Sequence, residues 1–232
     1  MSKNEQCPKC KVVLLGESGV GKTCIISRYI SGSFDDKSES TNGASYASKV
    51  NDYPKLGKSL RLDIWDTAGQ ERYRSLTKFF YKDAAIAILV YDITRRESYE
   101  ELKNYWYNQL KTSINSNISK NYFFNFFILF LVIGIAGNKC DKYDQEQISE
   151  EEVRKYANEI NAIFRLTSAF DNTGIDDLFK SVGNLYLDPN YQDIIEKDKI
   201  EKDTNKGPTI TLDQKTVTET DKKIKKKKGN CC

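Results

Sequence analysis

The chain has 232 residues, 39% hydrophobic and 30% charged, which suits one α/β domain with a tail. Its formal net charge is +3, and residues 190–232 alone hold eleven Lys against eight Asp and Glu, so the chain before them is neutral overall. A neutral domain implies no basic surface, which argues against nucleic acid as its main partner.

Residues 1–10 are polar, lack an apolar signal segment and read as a flexible N-terminus. Six Cys in that setting predict free thiols in a reducing cytosol. Cys7 and Cys10 make one C-x-x-C pair in a chain without His, so a four-ligand zinc site is not expected. Short apolar runs then alternate with helical patterns, the mark of βαβ units. Residues 11–15 read as a buried strand and 23–30 as a helix. The polar stretch 31–40 has few apolar anchors and reads as a mobile loop. Residues 45–51 and 59–65 predict two strands joined by a hairpin around Pro54 and Gly57. The unbroken apolar run 84–91 is typical of a central parallel strand. A helical pattern covers 97–111, and 132–136 is another buried strand. Ser149 followed by three Glu predicts a capped helix start. Residues 163–167 read as a last short strand and 174–187 as a closing helix with Ile175, Leu178, Phe179 and Val182 on its apolar face. Beyond Pro189 the chain is rich in Lys, Asp and Thr, and 188–232 read as a disordered basic tail.

The loop between the first strand and first helix carries the chemistry. Gly16, Glu17, Ser18, Gly19, Val20, Gly21, Lys22 and Thr23 match G-x-x-x-x-G-K-[ST], a backbone nest for phosphates. Lys22 can reach the β- and γ-phosphates, the Thr23 hydroxyl can ligand Mg²⁺, and Cys24 opens the helix whose N-terminus adds partial positive charge. After the third strand, Asp66 can hold the Mg²⁺ shell through water, Gly69 lets a backbone N–H approach the γ-phosphate, and Gln70 can orient an attacking water. Asn138, Lys139 and Asp141 follow another strand. A buried carboxylate at Asp141 could accept from guanine N1–H and N2–H₂ and would be left unpaired against adenine, a loss of ~1–3 kcal/mol. A backbone N–H of Ser168 or Ala169 could meet guanine O6. All of these stand at the carboxyl ends of expected strands, where open α/β sheets bind ligands.

Together with the terminal Cys231 and Cys232, these segments resemble the Rab family of small GTPases over residues 11–187 and the tail. The resemblance implies a P-loop G-domain, α/β, with a mostly parallel six-stranded sheet flanked by helices. It implies bound GTP or GDP with Mg²⁺ and a slow GTPase acting as a molecular switch in vesicle trafficking. Thr41 would be the threonine that closes on Mg²⁺ when the γ-phosphate is present, and Phe170 would cover the base. Glu71, Arg72, Tyr73 and Arg74 would lie in a second switch, and Tyr46, Trp65 and Phe80 would show an aromatic patch to effectors. Segments 33–45 and 69–78 would order on the γ-phosphate and release on hydrolysis. Implied partners are an exchange factor, a GTPase-activating protein, effectors, and a prenylation escort or GDP dissociation inhibitor. Geranylgeranyl groups on Cys231 and Cys232, helped by Lys222, Lys223 and Lys225 to Lys228, would place the protein on the cytoplasmic face of an intracellular membrane, cycling with the cytosol. A lysine run with two incidental thiols is the plainer reading of that tail.

Some residues depart from the family pattern. Asn42 replaces a usual apolar residue, Phe170 a common Lys, and Asp83 a usual Gly. A non-cycling nucleotide-binding scaffold is the alternative that Asn42 and the next feature would favour. Residues 119–131 form an apolar insert with five of the eleven Phe. As a helix, residues 122–136 would span ~22 Å, short of a ~30 Å hydrocarbon core. Three readings stand: a lipid- or partner-facing insertion, an extension of a neighbouring element, or a translated intron, whose removal restores the family pattern. The insert enters a strand at its amino end, so the site survives if that strand keeps its register.

Overall fold

The computed structural model describes residues 7–35, 41, 43–69, 80–112 and 131–191. Six strands lie among them: β1 (Lys9–Leu15), β2 (Ala44–Tyr53), β3 (Lys58–Thr67), β4 (Ile86–Asp92), β5 (Val132–Asn138) and β6 (Ile163–Thr167). They make one sheet in the order β2-β3-β1-β4-β5-β6, with β2 antiparallel to β3 and the other pairs parallel. The helices are α1 (Lys22–Ser31), α2 (Arg96–Glu101), α3 (Glu150–Glu159) and α4 (Ile175–Leu187). Because β3 and β4 flank β1 on opposite sides, the loop after β1 opens at the point where strand order reverses.

Both faces of the sheet are covered, and the strand sequences show it. Val12 and Leu14 of β1, with Ile86, Ile88 and Val90 of β4, join Ile25, Tyr29, Leu178 and Phe179 in one core. The alternate residues Val13, Leu15, Ala87, Leu89 and Tyr91 join Tyr99, Leu102, Trp106 and Val153 in the other. Two buried faces are why β4 reads as an unbroken apolar run rather than an alternation. Tyr29 stacks on Phe179, centroids 3.8 Å apart at 10°, and this seam locks α1 against α4.

Most expected elements are present. The hairpin turns through Pro54–Leu56 and a left-handed Gly57, and Ser149 Oγ accepts from the Glu152 N–H to cap α3. β5 keeps register with β4, placing Asn138 beside Asp92 at the carboxyl edge. Two differences have physical causes. The flexibility expected over 1–10 does not hold at its end, since β1 starts at Lys9 and Cys10 is buried beside Leu62, while residues 1–6 lie outside the described residues. Burial pushes the Cys10 thiol up to about 12, so it packs as an apolar group. The helix expected over 97–111 widens into a π turn over Leu102–Tyr107, where Leu102 and Trp106 are buried. Residues 113–130, which include most of the insert, and 192–232, most of the tail, lie outside the described residues. The disorder expected from 188 does not hold for 188–191, where the Tyr191 N–H donates to the Asp188 carbonyl and the Tyr191 ring is buried.

Asp83, where the resemblance leads one to expect Gly, has a φ of +59°. That left-handed conformation is tolerated by Asp and penalised in β-branched residues. Asp83→Val is expected to lose about 1–2 kcal/mol in denaturant melts, while Asp83→Gly loses nothing.

Candidate functional site

Residues 16–21 wrap from the end of β1 to the start of α1 and leave Lys22 buried. Its Nζ donates to the carbonyls of Gly16 and Glu17, both at 2.9 Å. Burial lowers the Lys22 pKa to about 8, against the upward pull of Asp66 and Glu17. Gly21 is required twice over: its φ is +95°, and a Cβ there would stand 2.3 Å from the Asn138 amide nitrogen. That closeness lets Asn138 Nδ2 donate to the Val20 carbonyl at 2.8 Å. The Val20 side chain itself is core.

Three oxygen-bearing side chains converge beside Lys22. Thr23 Oγ1 donates to Asp66 Oδ2 at 2.7 Å and lies 2.7 Å from Thr41 Oγ1, which is 3.3 Å from the same carboxylate oxygen. Asp66 Oδ1 is buried without a hydrogen-bond partner among the described residues. Burial raises the Asp66 pKa, offset by the Thr23 hydrogen bond and the Lys22 charge. A hard divalent cation suits such an all-oxygen set with one unsatisfied oxygen. Gly69 packs against the same loop so tightly that a Cβ would sit 2.4 Å from the Glu17 carbonyl carbon. Gln70, Asn42 and 71–79 lie outside the described residues.

A cleft of about 790 Å³ runs from these groups to Asp141 and Phe170. Ser18, Gly19, Gly21, Lys22, Thr23, Cys24, Thr41, Gly69, Asn138, Lys139, Asp141, Ala169 and Phe170 all line it. At the far end Ser168 Oγ donates to Asp141 Oδ1 at 2.6 Å. Asp141 is half-buried, not buried as the specificity argument supposes, so a ligand would have to complete its burial. The Ser168 N–H already donates to the Thr173 carbonyl, which shifts the candidate donor for an exocyclic oxygen to Ala169.

Four residues that sequence reasoning left aside shape this cleft. Phe34 lines it and stands edge-on to Phe170, centroids 5.6 Å apart. It anchors the stretch read as a bare mobile loop, and its signal was a lone aromatic among polar residues. Arg28 of α1 donates to the Ala169 and Phe170 carbonyls. Asp92 holds Lys139 Nζ at 2.6 Å. Burial works to raise the Asp92 pKa, but hydrogen bonds from Lys139 and Thr94 outweigh it and hold the carboxyl below its usual range. Arg95 Nη2 donates to the Ser18 carbonyl at 3.0 Å. No spacing rule marks these three, because each acts across the fold.

On the other edge, Tyr46, Trp65 and Phe80 form a continuous aromatic run, with centroids 5.5 and 6.0 Å apart. Tyr46 is half exposed, and its hydroxyl donates to Asp63 and accepts from Arg61.

A doubly covered parallel sheet with this loop at its switch point defines a P-loop nucleotide-binding protein. The Ras family model matches residues 11–187. Ras-related protein Rab-22A of Homo sapiens is 43% identical over 170 residues, 73% of this chain and 79% of that protein. Ras-related protein Rab-31 of Homo sapiens is 37% identical, covering 84% of this chain and 92% of that one. GTP-binding protein YPT52 of Saccharomyces cerevisiae is 34% identical, covering 81% and 86%. The chain belongs to the Ras family of small GTPases, in its Rab branch.

Asn138 is 1% exposed, and its amide serves both Val20 and the Thr167 hydroxyl. Asn138→Ala is expected to lose about 1–3 kcal/mol for each buried group it strands, read in denaturant melts without nucleotide.

Proposed function

We propose that the cleft holds GTP or GDP with Mg²⁺, hydrolyses GTP slowly, and switches a membrane-trafficking event between two states. The observation that carries this reading is one cleft lined by Lys22, Thr23 and Thr41 at one end and by Asp141 and Ala169 at the other, with Asp66 hydrogen-bonded to the two threonines and Ser168 hydrogen-bonded to Asp141 from behind. Lys22 would turn from the loop carbonyls to the β- and γ-phosphate oxygens, keeping its buried charge paired. Thr23 and Thr41 would hold Mg²⁺ directly and Asp66 through water, and the ion would supply neutralisation of charge on the transferring phosphoryl group. Gln70 would orient the attacking water. At the base end Asp141 would accept from guanine N1–H and N2–H₂ while Ala169 N–H meets O6. Adenine offers no such donor pair, so it would leave the carboxylate unpaired.

The reading includes slow turnover. The described cations Arg95 and Lys139 are already engaged, Arg95 with the Ser18 carbonyl and Lys139 with Asp92, so a GTPase-activating protein would supply the missing transition-state charge. Exchange factor and effectors would read the switch segments 33–45 and 69–78 and the aromatic run Tyr46, Trp65 and Phe80. No described helix is long and apolar enough to cross a membrane. Attachment would fall to the tail 188–232, with geranylgeranyl groups on Cys231 and Cys232 and the preceding lysines on an anionic leaflet. An escort or GDP dissociation inhibitor would carry the lipids through the cytosol.

Single-turnover hydrolysis of bound GTP tests the enzymatic part. A measurable slow rate should drop about tenfold or more in Gln70→Leu, ~1.4 kcal/mol of barrier or greater. Equal, negligible rates in both, with or without an activating protein, would favour a non-cycling scaffold. For the membrane part, a tagged chain should decorate one compartment and turn diffuse when Cys231 and Cys232 are both changed to Ser. Unchanged membrane decoration would rule out the lipid anchor.

A further inference from the structure

We propose that Arg28 is a positioning residue that clasps shut the base end of the cleft and sets how long a guanine nucleotide stays bound. The inference rests on the guanine-nucleotide reading above and concerns a residue that does not line the cleft. Arg28 sits in the last turn of α1. Its Nε donates to the Ala169 carbonyl and its Nη2 to the Phe170 carbonyl, each at 2.8 Å. Its Nη1 donates to the carbonyl of Gly32, the residue that ends α1. The guanidinium also lies 5.9 Å from the centre of the Phe34 ring.

One planar cation therefore grips both walls of the base slot. On one side it fixes two consecutive peptide planes in the turn that carries Ala169 and Phe170. On the other it fixes the turn out of α1 that leads to Phe34. The consequence is visible in the rings: Phe170 is 64% exposed, yet it stands at 88° to Phe34 in a defined edge contact. The backbone that sets this pose is the one Arg28 holds through the Ala169 and Phe170 carbonyls. The forked geometry of arginine is required, because a lysine ammonium is a point charge that cannot span three carbonyls at once. Without the clasp the two walls can part, and the base end opens while the phosphate end stays intact.

The test uses the full chain loaded with a fluorescent GDP analogue and Mg²⁺, comparing wild type with Arg28→Met and Arg28→Lys. Release should accelerate about ten- to a hundredfold in Arg28→Met, as expected for losing one or two charge-assisted hydrogen bonds, and Arg28→Lys should recover little of it. Single-turnover hydrolysis of bound GTP should stay within about twofold of wild type, since the phosphate end is untouched. Chelating Mg²⁺ with EDTA should multiply release by the same factor in wild type and variants. Wild-type release rates in both variants would overturn the clasp, as would a fall in hydrolysis parallel to the gain in release, which marks a general structural role. If Arg28→Met does not fold, accelerated release in Arg28→Lys decides the matter. A wild-type chain that does not take up the GDP analogue would instead overturn the guanine-nucleotide reading itself.

Discussion

The hydrogen bond from the Asn138 amide to the Val20 carbonyl ties the two ends of the cleft together. Val20 belongs to the loop that, in the proposed reading, would face phosphates, and Asn138 begins the segment that carries Lys139 and Asp141. The bond is possible because Gly21 has no Cβ to fill the space between them. It is durable because Asn138 is buried, and a buried amide that loses a partner loses more free energy than the bond contributes. A displacement at one end of the cleft is therefore felt at the other.

That bond depends in turn on strand register. β5 must deliver Asn138 opposite Asp92 of β4, and β6 must deliver Thr167 opposite Asn138. With both faces of the sheet buried, a one-residue slip would exchange the two cores, so register is strongly specified. Leu131, the last residue of the insert, leads into β5 at the opposite edge, and the register with β4 holds from Val132 onward. The same packing explains why functional groups gather at one edge while the aromatic seam of Tyr29 and Phe179 lies inside.

Legibility followed the range of the interaction. The strands and helices were readable because apolar runs and capping residues act locally, as Ser149 on Glu152 shows. The phosphate loop was readable because its chemistry is contiguous in sequence. Arg28, Asp92 and Arg95 were not, because their partners are distant: Arg28 reaches Ala169 across 141 positions and Arg95 reaches Ser18 across 77. The π turn at Leu102–Tyr107 was hidden for a similar reason. Helical spacing fits a stretch that tertiary packing of Leu102 and Trp106 has widened. The half-burial of Asp141 was also beyond reach, since exposure of a loop carboxylate depends on the turn opposite it.

The electrostatic logic is one of buried charges held in readiness. Lys22 is kept by two carbonyls, and Asp66 by two threonine hydroxyls. Each of these partners is weaker than a phosphate or a divalent cation, so in the proposed reading a nucleotide with its metal would replace them without leaving a charge stranded. In the proposed reading, Asp141 would discriminate between bases, with the Ala169 N–H beside it. Calorimetric titration of the nucleotide-free chain with GDP and with ADP, each in the presence of Mg²⁺, tests this most directly. GDP should bind about four orders of magnitude more tightly than ADP, the discrimination achieved by sites built to hydrogen-bond one ligand. Comparable affinities for the two would contradict it.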